Sequence, residues 1–257
     1  MKQYIVDAFT EQIFHGNQAA ICVLDTWPSD KLMINITKEN NFSETAFTVK
    51  TNDGYELRWF TPGGEVKLCG HATLAASYVL FHYYETDKEK LVFHTLSGEL
   101  LIGKDGDYIV MDFPALHCHE TEVTDLMGEA FGVAPSKAYI DDRLLLVYEN
   151  EQIIRDMKPA FDKVALLHEH GVAVTALGKQ YDCVSRFFAP RLKVNEDPVT
   201  GSAHCLITPY WVERLGKKTI HAYQASERGG ELFCELRGER VVIKGKAALY
   251  SIGELKV

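Results

Sequence analysis

Short apolar runs, many of them alternating with polar residues, fill most of the chain and predict strands. In the first half these runs are QYIVDAF, AICVL, TAFTVK, YELRWF, KLVFHTL, ELLIG and YIVMDF. In the second half they are AYID, LLLVYE, VAVTAL, CVSRFF, TIHAYQA, ELFCEL, RVVIKG and AALYSI. Turn residues at 97–98 and 105–106 divide the stretch 91–113 into an antiparallel meander. The pattern predicts a chain rich in strands.

Each half also contains one long apolar segment with helical spacing. The first is predicted to run from about 71 to 83, and the second from about 202 to 215. Pro209 lies inside the second segment and is expected to kink it, and Gly216 ends it. Shorter helices are predicted at about 29–40 after the N-cap Ser29, near 121–131 and near 159–169. We therefore expect an α+β protein with one long helix per half.

The two halves repeat one sequence pattern. LRWFTPGGEVKLCGHATLAASYV begins at Leu57, and SRFFAPRLKVNEDPVTGSAHCLITPYW begins at Ser185. Four residues of the first copy match four of the second: Arg58, Phe60, Pro62 and Gly70 match Arg186, Phe188, Pro190 and Gly201. Each copy reads as an aromatic strand, a proline turn, a loop, a glycine and an apolar helix. We divide the chain into two pseudo-symmetric halves, 1–116 and 117–257.

Both long helices begin at a glycine, where the backbone can come close to a ligand. The unpaired N–H groups and the positive dipole at a helix N-terminus favour an anion. If the two halves face each other, the two helix N-termini converge on one cleft. We expect that cleft to bind a small anion.

The composition excludes several classes of function. The 257 residues are 46% hydrophobic and 25% charged, with a formal net charge of −9. No basic patch is evident, so we expect no binding to nucleic acid or to an anionic membrane surface. No apolar run approaches the roughly 20 residues that span a bilayer. The N-terminal segment does not have the pattern of a signal peptide, so we expect a cytoplasmic protein.

Cysteines and histidines offer few signs of a metal. None of the six cysteines forms a C-x-x-C pair, so reduced thiols are expected. The segments HCH at 117–119 and HEH at 168–170 could each place two imidazoles on one face of a strand. A zinc site needs three or four ligands, so we predict no metal site.

The segment NFSETAF at 41–47 places Glu44 between Phe42 and Phe47. The nearest basic residues are Lys38 and Lys50. A carboxylate among apolar residues either stays exposed or has a raised pKa, because desolvation disfavours the charged form. In the second case Phe42 and Phe47 are expected to exclude water from the Glu44 carboxyl. The residues alone allow two interpretations. Glu44 lies on the solvent-exposed face of a strand, or it is a catalytic base with a raised pKa.

Four segments together resemble the phenazine-biosynthesis PhzF-like family, which is related in fold to diaminopimelate epimerase. They are DAFTEQIFHGNQAAICVL, NFSETAF, FTPGGEVKLCGHATLAASYVL and EDPVTGSAHCLITPYW. They are spread over nearly the whole chain in the expected order, and Gln18 departs from the proline that the family commonly has. The resemblance implies two similar halves, each a small barrel-like sheet wrapped around a central helix, with the active site in the cleft between them. It also implies a homodimer and no cofactor.

The resemblance assigns roles to particular residues. It implies that Glu44 is the general acid/base and that Asn17 braces the site. Gly70 and His71 match the first ligand-binding turn, although His71 could instead cap its own helix. Asp197 matches a residue that contacts the substrate, although before Pro198 it could be a turn residue. Gly201 and Ser202 match the second helix N-terminus and would hold a carboxylate.

These residues lead to one predicted function and two alternatives. In epimerase relatives two cysteines act as paired acid and base, but here Cys69 is matched by Thr200, which disfavours that chemistry. We predict a cofactor-independent isomerase in which Glu44 moves a carbon-bound proton within a small carboxylated substrate. One alternative is a metabolite-binding protein without catalysis. The other is thiol chemistry by Cys69 with His71, for example in a hydrolase.

Overall fold

The computed structural model describes residues 1–257, and the chain divides into two units. The first unit is Met1–Asp112 with Lys244–Val257, and the second is Phe113–Ile243. The first division falls close to the predicted one between 116 and 117. The last residues were predicted to belong to the second half, but they return to the first unit. They do so because the final strand pairs antiparallel with the first strand of the chain.

The first unit contains most of the strands of the N-terminal half, two helices and the final strand. Its elements are β1 (Lys2–Ala8), β2 (Asn17–Leu24), α1 (Asp30–Asn40), β3 (Thr45–Lys50), β4 (Tyr55–Thr61), β5 (Gly64–Val66), α2 (Gly70–Tyr83), β6 (Lys90–Thr95), β7 (Gly98–Asp105), β8 (Tyr108–Pro114) and β18 (Ala247–Glu254). The end of β8 already belongs to the second unit.

The second unit contains shorter strands, four helices and one 3-10 turn. Its elements are β9 (His119–Thr121), α3 (Asp125–Phe131), β10 (Lys137–Ile140), β11 (Leu144–Val147), α4 (Glu151–Asp156), α5 (Phe161–Leu167), β12 (Val172–Leu177), β13 (Cys183–Ala189), a 3-10 turn (Pro190–Leu192), β14 (Val194–Asp197), α6 (Gly201–Leu215), β15 (Thr219–Gln224), β16 (Gly230–Arg237) and β17 (Arg240–Gly245). The predicted helices near 121–131 and 159–169 are shorter than expected, and α4 was not predicted.

The strands of the two units pair in the same order. In the first unit β1, β2, β3, β4, β6 and β7 are neighbours, with antiparallel and parallel pairs in alternation. In the second unit β10, β11, β12, β13, β15 and β16 follow the same alternation. A short strand is added to each at the same place, β5 on β4 and β14 on β13. The internal sequence repeat therefore corresponds to a repeated fold.

The long helix of each unit is buried on nearly all sides. The helix α2 packs against β1, β2, β3 and β18, and α6 packs against β12, β15 and β16. Both begin and end within one residue of the predicted bounds, and Pro209 lies inside α6. A helix that is apolar on all sides is stable in water only when it is buried, and here the strands around each helix bury it. This confirms the predicted α+β class with a central helix in each half.

An arginine–glutamate pair is repeated in the two units. Arg58 donates from Nε and Nη2 to Glu65 at 2.7 Å each, and its guanidinium lies 5.0 Å from the ring of Phe60. Arg186 donates in the same way to Glu196 at 2.7 and 2.8 Å and lies 5.0 Å from Phe188. Each pair ties its long strand to the short strand beside it. The matched Arg-x-Phe residues of the repeat are thus structural.

None of the six α-helices has the length and apolar character needed to cross a membrane.

Candidate active site

Glu44 is placed by the turn between α1 and β3. Ser29 caps α1 by accepting a hydrogen bond from the Leu32 N–H, as predicted. The helix ends at Asn41, which has the left-handed φ of 55° that short polar side chains tolerate. Three residues later Glu44 lies directly before the first residue of β3. A helix cap and a strand start therefore fix its backbone from both sides.

His71 is placed by the start of α2. The N-cap residue is Cys69, whose side chain makes no capping hydrogen bond to the helix. Thr73 Oγ1 donates to the Cys69 carbonyl at 2.6 Å and Ser77 Oγ donates to the Thr73 carbonyl at 2.8 Å. These bonds hold the first turns of the helix in place. His71 itself is only 6% exposed.

Glu44, His71 and Cys69 form one cluster in the first unit. His71 Nε2 lies 3.4 Å from Glu44 Oε2, and His71 Nδ1 lies 3.5 Å from Cys69 Sγ. One donor atom from each of the three side chains lies within 4.8 Å of the others. A carboxylate, an imidazole and a thiol in this order can pass protons along the cluster or share a ligand.

The Glu44 carboxyl is in an environment that disfavours its charge. Its Oε2 atom is buried and makes no hydrogen bond, and the side chain is 18% exposed. Burial raises the pKa of Glu44 above its usual value, and a hydrogen bond with Ser43 opposes this only in part. A carboxyl with a raised pKa is a stronger base than a free glutamate.

The burial of Glu44 does not come from Phe47. The Phe47 ring packs with Met33 and Ile36 of α1 and with Phe60, on the α1 side of β3. Glu44 instead contacts His71 of α2. Residues three apart along an extended chain point to opposite faces. The expectation that Phe47 dries the Glu44 carboxyl is therefore corrected, because the two side chains face different helices.

Two further residues of the first unit support the cluster and were missed from the sequence. Asn40 Nδ2 donates to Thr45 Oγ1 at 3.1 Å, and Gln3 Nε2 donates to Asn40 Oδ1 at 3.1 Å. These bonds tie the end of α1 to the start of β3 on either side of Glu44. Asn17, predicted to brace the site, is buried at the start of β2. No motif marks Gln3 or Asn40, so only the fold identifies them.

In the second unit, Asp197 is held at the end of β14. Its Oδ2 accepts a hydrogen bond from Thr200 Oγ1 at 2.5 Å. The buried Gln224 donates to the Asp197 carbonyl at 2.6 Å and accepts from the Thr200 N–H at 2.9 Å. Gly201 then begins α6, and Ser202 follows it half-buried. Asp197 is thus part of a braced turn at a helix start, and Gln224 was missed because it ends an ordinary strand.

The residues that begin the two long helices correspond as the repeat predicts. Thr200 is the N-cap of α6, as Cys69 is of α2, and neither side chain caps its helix. His204 Nδ1 lies 2.8 Å from the Thr200 carbonyl, where Thr73 bonds the Cys69 carbonyl in the first unit. At the N-cap of the long helix, the first unit therefore has the thiol of Cys69 and the second unit has the hydroxyl of Thr200.

The buried His204 predicts a loss of stability in acid. Complete burial lowers the pKa of His204 from 6.5 to about 4. The unfolded chain then binds a proton more readily than the folded protein between these values, so the free energy of unfolding falls as pH falls from 6.5 to 4. The loss should reach about 3 kcal/mol. Urea unfolding across this range measures it, and His204→Thr, which copies Thr73, should remove that part of the pH dependence. If the free energy of unfolding of the variant depends on pH as steeply as that of the wild type, groups other than His204 cause the loss of stability.

The two H-x-H segments are not part of the Glu44–Cys69–His71 cluster or of the turn that holds Asp197. His117 pairs with Glu239 at 2.8 Å, and His170 pairs with Asp142 at 3.0 Å. All these side chains are exposed. All six cysteines of the chain are free thiols. His117 and His170 thus lie in surface contacts with carboxylates.

Comparison with known proteins identifies the protein family that has this fold. The family model described as phenazine biosynthesis-like protein, PhzC-PhzF, matches residues 6–253. The chain belongs to this family, and it is an isomerase of the PhzF-like type.

Three relatives illustrate the match. The chain is 49% identical over 250 residues to a protein of Pseudomonas aeruginosa named as an uncharacterized isomerase, covering 97% of this chain and 96% of that one. A crystal structure of a PhzF-family phenazine biosynthesis protein from Enterococcus faecalis is 46% identical, with a TM-score of 0.98 over 100% of this chain and 99% of that chain. A probable proline racemase from Agrobacterium radiobacter shares the fold alone, with 8% identity and a TM-score of 0.68 over 100% of this chain and 93% of its own. The predicted family and epimerase-like fold are confirmed.

Proposed function

We propose that this isomerase moves a carbon-bound proton within a small carboxylated substrate, with Glu44 as the general acid/base. The observation that carries the proposal is the state of Glu44, a largely buried carboxyl whose Oε2 makes no hydrogen bond. A catalytic base for carbon needs a pKa near the working pH. Burial moves the pKa of Glu44 in that direction.

His71 is proposed to work with Glu44 as a polar partner. Its Nε2 lies 3.4 Å from Glu44 Oε2, longer than a strong hydrogen bond. Contacts of this kind tighten when substrate enters. An imidazole there can hold a substrate oxygen or take up a proton that Glu44 has received. We assign it binding and proton relay, not the first proton abstraction.

The substrate is proposed to carry a carboxylate. The first turns of α2 and α6 have N-cap residues whose side chains do not cap them. Backbone N–H groups at such a start can bind an anion and stabilise negative charge that builds up during proton removal. We assign Gly70, Gly201 and Ser202 to carboxylate binding. Asp197, held by Thr200 and Gln224, is proposed to orient a polar substituent of the substrate.

One observation favours a second candidate, thiol chemistry by Cys69. Its Sγ lies 3.5 Å from His71 Nδ1, and Glu44 stands at the other ring nitrogen as an orienting group that the sequence did not reveal. This order resembles that of thiol enzymes with a base and an orienting acid. Cys69 is buried, however, which limits attack on a substrate. A Cys69→Ser variant that keeps most of the turnover would eliminate this candidate.

The experiment that tests the proposed function looks for conversion without change of mass. Wild-type protein is incubated with a small-molecule extract of cells, and compounds that change retention but keep their mass are found by mass spectrometry. We expect a small acid to be converted by the wild type and not by Glu44→Gln. A product with a changed mass, such as a hydrolysis product, would contradict an isomerase with this substrate. Tight binding of an acid with no conversion would support a binding protein instead.

A further inference from the structure

We propose that Glu44, Cys69 and His71 form a site for Zn2+, and that zinc bound there inhibits the enzyme. The three side chains offer a carboxylate oxygen, a thiol sulfur and an imidazole nitrogen, the three donor types that zinc takes from proteins. Their donor atoms lie within 4.8 Å of one another. The zinc-binding part of this inference does not depend on the role of Glu44 as a base. The inhibition part rests on the proposed function.

The three donor atoms are close enough to bind one tetrahedral ion after a side-chain rotation. Zinc bonds of about 2.0–2.3 Å place neighbouring ligand atoms about 3.3–3.8 Å apart. Cys69 Sγ lies 3.5 Å from His71 Nδ1, and Glu44 Oε2 lies 3.4 Å from His71 Nε2. The two contacts use different ring nitrogens, so only one can bind the ion. A side-chain rotation of Glu44 or of the ring then brings the third donor into place.

The burial of the three side chains favours a bound metal ion, which can compensate the charge of the Glu44 carboxylate. Cys69 and His71 are 7% and 6% exposed, and Glu44 Oε2 is buried without a hydrogen bond. A bound cation would compensate the buried carboxylate, which otherwise bears a desolvation cost. On binding, the Cys69 thiol loses its proton to water and the thiolate becomes a ligand. Three protein ligands leave a fourth position for water or for an anionic substrate group.

Zinc in this position would stop the proposed chemistry. The lone pairs of Glu44 that would accept a carbon-bound proton would instead bind the ion. The sequence did not point to this site, because Glu44 lies on a different element from Cys69 and His71, and the H-x-H segments are the more visible candidates. In those segments His117 and His170 are exposed and lie against carboxylates, so the segments serve as controls.

Binding is tested with Zn2+ and Co2+ on the full chain. Calorimetry with Zn2+ should give one ion per chain for the wild type. Glu44→Gln, Cys69→Ser and His71→Asn should each weaken binding at least about tenfold, since even changes behind zinc ligands cost about 10–100-fold. Cys118→Ser, in the exposed HCH segment, should bind as the wild type does. Circular dichroism establishes that each variant is folded.

Cobalt gives a readout that does not depend on the variants. Co2+ bound to the wild type should show a thiolate-to-cobalt charge-transfer band and the strong visible bands of tetrahedral coordination, and Zn2+ should displace it. Absence of the charge-transfer band, or its loss in Cys118→Ser with retention in Cys69→Ser, would overturn the site. Inhibition is tested separately with an isomerised substrate, where chelator should restore turnover. Zinc that binds at the cluster without slowing turnover would overturn only the inhibitory role, and would then question Glu44 as the base.

Discussion

Glu44→Gln should lower kcat/KM by about 10²–10⁴-fold, the range that general acid/base groups supply. Glutamine keeps the shape of the side chain and removes its ability to take a proton. The fold should be nearly unaffected, because the Oε2 atom makes no hydrogen bond that the change could break. Kinetics with the isomerised substrate measure the loss in activity, and thermal unfolding measures the stability.

A matched control separates loss of the base from loss of a carboxylate in general. Glu39 lies on the exposed side of α1, five residues before Glu44. Glu39→Gln should keep wild-type activity. Turnover of Glu44→Gln within about threefold of wild type would mean that Glu44 is not the base, because so small a loss is under 1 kcal/mol of transition-state stabilisation.

Arg186→Met should lower the free energy of unfolding by about 2–4 kcal/mol, because it breaks a partly buried ion pair, whose side chains are 11% and 21% exposed, and removes a charged donor from two carbonyls. Arg186 donates two hydrogen bonds to Glu196, and Nη1 donates to the carbonyls of Ile154 and Met157 at 3.2 and 2.8 Å. Methionine keeps the apolar stem over Phe188 and leaves the carboxylate and both carbonyls without that partner. Urea unfolding monitored by circular dichroism gives the loss.

The control for Arg186→Met is an exposed ion pair of the same unit. Lys163 donates to Glu129 at 2.9 Å, and the two side chains are 40% and 57% exposed. Lys163→Met should change stability by no more than about 1 kcal/mol. Arg186→Met with Glu196→Leu should recover part of the loss, since no partly buried charge is left unpaired. A loss below about 1 kcal/mol for Arg186→Met alone would show that the pair is not a buried structural link.

Most elements of the fold followed from local sequence. The two long helices begin and end where glycines and apolar spacing put them, and the strands follow the apolar runs. The repeat of Arg-x-Phe and of a glycine before a helix predicted two equivalent halves, and the pairing order of the strands agrees. The short helix α4 was missed because six residues carry too little periodicity.

What the sequence could not supply were contacts between separate elements. The return of β18 to β1 depends on pairing across almost the whole chain. The cluster of Glu44, Cys69 and His71 arises only when β3 and α2 pack together. The position of Phe47, in contrast, could have been predicted. Phe47 is three residues after Glu44, and an odd number of steps along a strand places two side chains on opposite faces. Counting strand positions would have corrected that expectation.

The proposed isomerisation requires that Glu44 exchange protons with carbon, and deuterium incorporation tests this most directly. Wild type, Glu44→Gln and Glu39→Gln are incubated in D2O with the isomerised compound until the wild-type mixture is at equilibrium and for many turnovers beyond. We expect carbon-bound deuterium to accumulate with wild type and Glu39→Gln, because the proton that Glu44 holds while the reaction intermediate is bound exchanges with solvent before it is returned to carbon. With Glu44→Gln no label should appear. Equal labelling in all three proteins, or isomerisation by Glu44→Gln at the wild-type rate, would contradict Glu44 as the base.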